Sequence, residues 1–176
     1  MDTLGLVLLV ALVASGFAAY RDLRTGHIPN GITLPLLVAA PLLHGAIDGA
    51  TGLGVSLFGL FACGLVPYLM FRRDAMGGGD VKLLAALGAL VGPVVGLEIE
   101  LGTFVAGSLY AMTRLAYQGS LIRMLGSTAR IAVSPLLPER LRKEPPRELM
   151  LEVRLGPAIF AATLMVAVAE LVPLPV

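Results

Sequence analysis

Twelve acidic residues occur in this chain of 176, and two of them keep unusual company. Asp22 lies in the run Tyr20-Arg-Asp-Leu-Arg-Thr-Gly-His-Ile-Pro-Asn30, and Asp80 in Met76-Gly-Gly-Gly-Asp-Val-Lys-Leu83. Two carboxyl groups held together can share one proton: like-charge repulsion raises one pKa and leaves an acid beside a base near neutral pH. Such a pair activates water against an amide carbonyl without a metal or a covalent intermediate. Each aspartate also has a plainer explanation. Asp22 follows an apolar run, where the helix macrodipole disfavours a carboxylate by about 0.3–1 kcal/mol, and Arg21 and Arg24 can balance it. Asp80 is placed to cap the helix that follows by accepting from its first free N–H groups. Three consecutive glycines, Gly77 to Gly79, exceed what a cap needs. They remove side chains and let another backbone approach closely.

Other chemistries find little support. There is no His-Glu-x-x-His and no Gly-x-Ser-x-Gly elbow, and the single cysteine, Cys63, excludes both an internal disulfide framework and a cysteine-based zinc site. The glycine run lacks the Gly-Lys-Ser/Thr ending of a phosphate-binding loop, with no strand before it. His27 and His44 are predicted on opposite membrane sides and cannot share a metal. Neither a metal nor a cofactor is expected. Cys63, in the middle of an apolar run, reads as packing.

The elements that must position the aspartates follow from composition. Hydrophobic residues make up 57% of the chain and charged residues 14%, against about 25% charged in an ordinary soluble domain; mean hydropathy is +0.88. One small soluble fold cannot bury so much apolar surface, and a disordered chain would be polar. The expectation is an all-α, polytopic membrane protein forming one domain over 1–176, with the lipid bilayer as its surroundings. A net charge of +1 suggests no nucleic acid partner. Six stretches approach the roughly 20 apolar residues that a spanning helix needs: Thr3–Tyr20, Ile32–Ile47, Leu53–Phe71, Val81–Leu97, Leu101–Tyr117 and Leu155–Val172. The first lacks the positive n-region of a signal peptide and reads as a retained helix.

All 13 Lys and Arg residues fall in or beside alternate connections. Arg21 and Arg24 follow the first stretch, Arg72, Arg73 and Lys82 bracket the join between the third and fourth, and the other eight lie between Arg114 and Arg154. By the positive-inside rule these connections are cytoplasmic and both termini lie outside. Asp48, Glu98 and Glu100 then belong to outer connections. Both Asp22 and Asp80 fall at the cytoplasmic face. The connection over 118–154 is basic and proline-rich, and within it Leu121 to Val133 shows the spacing of a helix lying on the inner membrane surface.

Taken together, Asp22-Leu-Arg-Thr-Gly-His-Ile-Pro-Asn30 and Gly77-Gly-Gly-Asp-Val-Lys-Leu83 resemble the type IV prepilin peptidase family of intramembrane aspartic proteases. Gly77, Gly79 and Asp80 match its Gly-x-Gly-Asp motif, and the resemblance spans about residues 10–117. It implies an endopeptidase that removes leader peptides from prepilins or pseudopilins at the cytoplasmic face of the inner membrane. Asp22 and Asp80 would be catalytic, with Pro29, Asn30, Gly77, Gly79 and Lys82 as supporting motif residues. Gly156-Pro157, on the last stretch, is only a vague match to a family feature.

Longer members carry a cytoplasmic insertion between the first two helices, often with paired cysteines, and also N-methylate the new terminus. Here about ten residues, from Arg21 to Gly31, join those helices without a cysteine. The chain therefore resembles the short peptidase-only branch that serves tight-adherence (Flp-type) pili, with the archaeal preflagellin peptidases a related short branch. The rival reading is a small proton- or ion-coupled transporter, since intramembrane carboxylates often serve transport. Transporter sites, however, sit near the midplane between inverted repeats, and no repeat is evident. A non-catalytic scaffold with glycine-rich packing helices is the other.

Overall fold

The computed structural model describes residues 3–117 and 154–171. The described residues are helical, with no strand among them: α1 (Thr3–Thr25), α2 (Asn30–Phe71), α3 (Gly78–Val91), α4 (Pro93–Tyr117) and α5 (Gly156–Leu171). The surface helix expected at Leu121 to Val133, and nearly all of the basic connection, lie outside the described residues. The chain divides into two compact units, 1–106 with 154–176, and 107–153. The site geometry described below belongs to the first.

Each boundary has a local cause. The α1 helix ends where Gly26 takes the left-handed conformation (φ 68°) and its N–H donates to the Asp22 carbonyl at 2.8 Å, the usual role of a glycine just past a helix end. Pro29, with extended backbone, leads into α2. That helix is interrupted at Gly49, whose φ of 63° and ψ of −146° are non-helical. The chain folds back there: a Cβ at Gly45 would lie 3.5 Å from Leu53 Cβ, a contact that a straight helix could not make across eight residues. The two arms of α2 thus form an antiparallel hairpin, and the break expected between Ile47 and Leu53 falls at Gly49.

The α3 helix fills the space beside both arms. Every residue from Leu83 to Leu90 is buried. The side chains on all its faces are small or aliphatic, the pattern of a helix enclosed by protein. Its first arm contact is near Asn30, its later ones are at Gly59 and Ser56, and a Cβ at Gly59 would strike the Gly88 carbonyl oxygen. On the other side, α1 and α5 run antiparallel, with Gly16 against the Phe160 ring and Gly5 near Leu171.

The structure corrects the sequence reading in two places. Its fourth stretch does not run to Leu97; α3 ends at Val91, and Gly92 alone separates it from α4, which begins at Pro93. Proline favours a first helical position because it needs no N–H partner there, and the glycine before it breaks α3. Glu98 and Glu100 consequently lie within α4 rather than in an outer connection, and Glu100 is only 3% exposed. The second correction concerns Asp80. Gly77 holds the N-cap position, so Asp80 sits in the first turn of α3 instead of capping it.

Three helices are long and apolar enough to cross a membrane: α1, α2 and residues Pro93–Arg114 of α4. At 14 and 16 residues, α3 and α5 fall short of the usual spanning length of about 20. Large apolar side chains such as Val13, Phe61, Leu101 and Met165 point outward, an arrangement that water would penalise and hydrocarbon accepts. This is a helical membrane protein.

Candidate active site

Asp22 occupies the last turn of α1 and is 5% exposed. Its Oδ2 accepts a hydrogen bond from the backbone N–H of Gly156, the first residue of α5, at 3.0 Å. Asp80 enters from the first turn of α3, with the Gly77 backbone beside its carboxyl: a Cβ at Gly77 would lie 2.8 Å from Asp80 Oδ2. Loss of hydration pushes the Asp80 carboxyl up, and the neighbouring Asp22 charge pushes it further, to about 7, against the opposing effect of the Gly77 N–H. Two residues far apart in sequence thus lie close enough for the charge of one to alter the proton affinity of the other. Raised carboxyl groups beside a second carboxyl are a pattern of functional sites.

The two motif segments are also tied to each other directly. Lys82 Nζ donates to Asn30 Oδ1 at 2.9 Å, joining the start of α3 to the start of α2. Gly79 packs on the preceding turn so closely that a Cβ there would lie 2.9 Å from Ile28 Cβ and 3.2 Å from the Ile28 carbonyl oxygen. Pro29 begins α2 immediately after this contact. The seven residues singled out in the sequence therefore gather where the end of α1 meets the starts of α2 and α3. Gly78 instead faces the Phe71 ring. The His27 ring contacts the Thr25 carbonyl nearby, and His44 lies toward the other end of α3, bonded to the Leu90 carbonyl at 2.8 Å. Among the described residues no three His, Cys, Asp or Glu side chains are grouped to hold a metal ion.

Sequence reasoning missed two contributors. Gly156 reaches Asp22, and Arg154 donates to the Leu23 carbonyl, fastening the start of α5 to the end of α1. Proline at position 157 suits the first turn of a helix, but nothing in the spacing of Gly156-Pro157 indicates which side chain it meets. A cavity of about 440 Å³ lies elsewhere, lined by His44, Asp48, Ser56 and Gly92 among others. It sits at the far end of α3, about 16 Å of helix from Asp80.

The sequence profile of the type IV leader peptidase family matches residues 6–112, a stretch that includes both aspartates. Over 89 residues the chain is 37% identical to the prepilin peptidase EppA of Methanothermobacter thermautotrophicus, covering 47% of this chain and 22% of that protein. It is 38% identical over 97 residues to the prepilin leader peptidase/N-methyltransferase of Klebsiella pneumoniae, covering 50% and 40%. The corresponding protein of Dickeya chrysanthemi is 40% identical over 98 residues, covering 50% and 34%. In each case the match spans less than half of the relative's length. No solved structure matches. With its profile match extending over more than half the sequence, the chain belongs to the type IV leader peptidase family.

Proposed function

We propose that the chain is a membrane aspartic endopeptidase that removes the leader peptide from type IV (Flp-type) prepilins or pseudopilins. The observation that carries this reading is the coupling of a buried carboxyl, Asp22, with a partly buried one, Asp80, at the meeting of two glycine- and proline-marked turns. One carboxylate takes a proton from water while the other carboxyl protonates the scissile carbonyl oxygen. The resulting tetrahedral diol then collapses with release of the amine. Burial strengthens both electrostatic effects because little water competes. Glycine at position 77 keeps a side chain off the Asp80 carboxyl, and glycine at position 79 lets the start of α3 pack on Ile28. A transporter gains no support from the family assignment, and no observation favours it.

In this reading α2 contributes two crossings, one per arm, and the shorter α3 and α5 cross as well, which makes six with α1 and α4. The basic connections face the cytoplasm, and the aspartates act at the cytoplasmic face of the inner membrane. The chain cleaves without methylating: residues 26–29 alone join α1 to α2, too short a segment to fold as an inserted domain. Its prepilin substrate and the bilayer are the partners this activity requires. The test is to incubate the purified protein, in lipid, with a panel of leader-bearing pilins and to map any cut by mass spectrometry. One cut at the leader junction, with no transfer of labelled methyl groups to the product, is the expected result. Absence of cleavage across the panel contradicts the proposal.

A further inference from the structure

We propose that the cavity at the far end of α3 binds a primary ammonium group, supplied by the head group of an aminophospholipid, with Asp48, His44 and Ser56 accepting its hydrogen bonds. The site lies apart from the aspartate pair and does not depend on cleavage; it rests only on α2 crossing the bilayer twice.

The cavity is built between the two arms of α2 and the end of α3. Its volume of about 440 Å³ falls in the usual range of small-molecule sites. Gly52 lets the arms close, since a Cβ there would strike the His44 carbonyl oxygen and lie 2.7 Å from Asp48 Cβ. Gly52, Ser56 and Ala89 are buried and form its floor. Asp48, Thr51 and Val55 are exposed and leave one side open.

The polar side chains that line it are mostly acceptors. The Ser56 hydroxyl donates its only proton to the Ala89 carbonyl at 2.7 Å, so its lone pairs are what remain for a ligand. His44 Nε2 lies 2.8 Å from the Leu90 carbonyl oxygen. A carbonyl has no proton to give, so Nε2 carries the hydrogen and the neutral ring offers Nδ1 as an acceptor. Asp48 adds a carboxylate, and Thr51 has the one hydroxyl able to turn either way. No Lys or Arg occurs between Arg24 and Arg72 or between Lys82 and Arg114, so the elements that form the cavity bring no cation to it. The helix ends at this level offset one another: α3 and the first arm present carbonyls, whereas the second arm and α4 present N–H groups. The preference therefore comes from the side chains.

Acceptors gathered around one carboxylate fit a cation that brings its own hydrogen atoms. A bare metal ion needs several close ligands, and among the described residues no three His, Cys, Asp or Glu side chains are grouped to supply them. A quaternary ammonium has no N–H and would leave desolvated acceptors unpaired. A primary ammonium has three donors, one for each acceptor. The lipid source follows from the surroundings. With both arms in the bilayer, the turn at Gly49 lies at head-group level. Leu43 and Ile47, beside His44 and Asp48 on the first arm, are exposed and suit acyl chains.

The test purifies the full chain in detergent with equal amounts of phosphatidylethanolamine and phosphatidylcholine of matched acyl chains, and native mass spectrometry reads the lipid retained. About a tenfold preference for phosphatidylethanolamine is expected, the size of one charge-assisted hydrogen bond. Asp48→Asn, at an exposed position, should reduce it to about twofold or less, and Val55→Phe, which fills the cavity, should do the same. Glu98→Gln removes an exposed carboxyl outside the cavity and should leave the preference intact. Thermal denaturation with ethanolamine alone and with magnesium chloride alone separates the sources. Equal retention of the two lipids with no rise in Tm from ethanolamine overturns the proposal, as does a preference that survives Asp48→Asn or falls equally in Glu98→Gln. Equal retention with an ethanolamine-induced rise that Asp48→Asn abolishes keeps the ammonium chemistry and makes a soluble amine its source. A rise with magnesium alone, lost in Asp48→Asn, makes this a hydrated metal site and also overturns the proposal.

Discussion

The two ends of α3 treat polar groups in opposite ways. At its far end His44 bonds to the Leu90 carbonyl and the Ser56 hydroxyl donates to the Ala89 carbonyl at 2.7 Å. Both side chains serve backbone acceptors that a helix end would otherwise leave unpaired. At its near end Asp80 does the reverse. It is a partly buried carboxyl beside a second carboxyl, and its proton affinity is raised by that company. The far end also has the cavity of about 440 Å³. Volume therefore does not mark the chemistry in this molecule. The mark is a polar arrangement that stability alone would not select, since burying like-charged groups together costs free energy.

This contrast can be broken most severely at the carboxyls. Asp22→Asn and Asp80→Asn should each lower leader cleavage by at least about 1,000-fold, because an amide keeps the shape and cannot exchange the proton; losing a group that acts as one of a unit is typically this damaging. Circular dichroism and insertion into lipid should remain normal for both. A smaller but still large effect is expected at Gly79. Gly79→Val places branched bulk where even a Cβ would lie 2.9 Å from Ile28, pushing the two motif turns apart. Displacement of about 1 Å can cost about 100-fold in rate, read as a fall in kcat in the same pilin assay.

Lys82→Met should act more mildly. It removes the hydrogen bond to Asn30 at 2.9 Å that ties α3 to α2, so a loss of about tenfold in kcat and about 1 kcal/mol in thermal stability is expected. Parallel loss in Asn30→Ala, without further loss in the double variant, would show that the two act through each other. At the far end the sign of the contrast changes. Ser56→Ala should lower stability by about 1–2 kcal/mol by leaving the buried Ala89 carbonyl without its donor, and Asp48→Asn should do little. Turnover by both should match the wild type. A large fall in cleavage from either would mean that the far end takes part in the reaction.

Much of this arrangement was legible in the sequence because the informative residues are backbone specialists. Gly26, Pro29 and the glycine run before Asp80 fix the local chain path by sterics, although the first join, read as Arg21 to Gly31, is residues 26–29 alone in the structure. The break at Gly49 was legible for a related reason, as a polar, glycine-containing gap between apolar runs. The break at Gly92 was not. The fourth stretch reads as continuous from Val81 to Leu97, because Gly92-Pro93 sits inside an unbroken apolar run whereas Glu98 and Glu100 interrupt it. Burial of Glu100 at 3% exposure is a tertiary outcome, decided by what packs against α4 and invisible to hydropathy. The role of α5 was hidden in the same way. Its first N–H meets Asp22 across the whole length of the chain between them, and periodicity contains no term for that.

The central claim is that Asp22 and Asp80 act as one unit, and the pH dependence of kcat/KM for leader cleavage tests it most directly. Asp80 is the group held up near 7 by burial and by Asp22. Raising the pH through that value removes the proton the reaction must deliver, whereas acidification protonates the carboxylate that must accept one. The wild type should therefore give a bell, with its alkaline limb near pH 7 and both limbs belonging to the pair. A rate that stays level from pH 6 to 9, or a full bell retained in Asp22→Asn, would contradict the account.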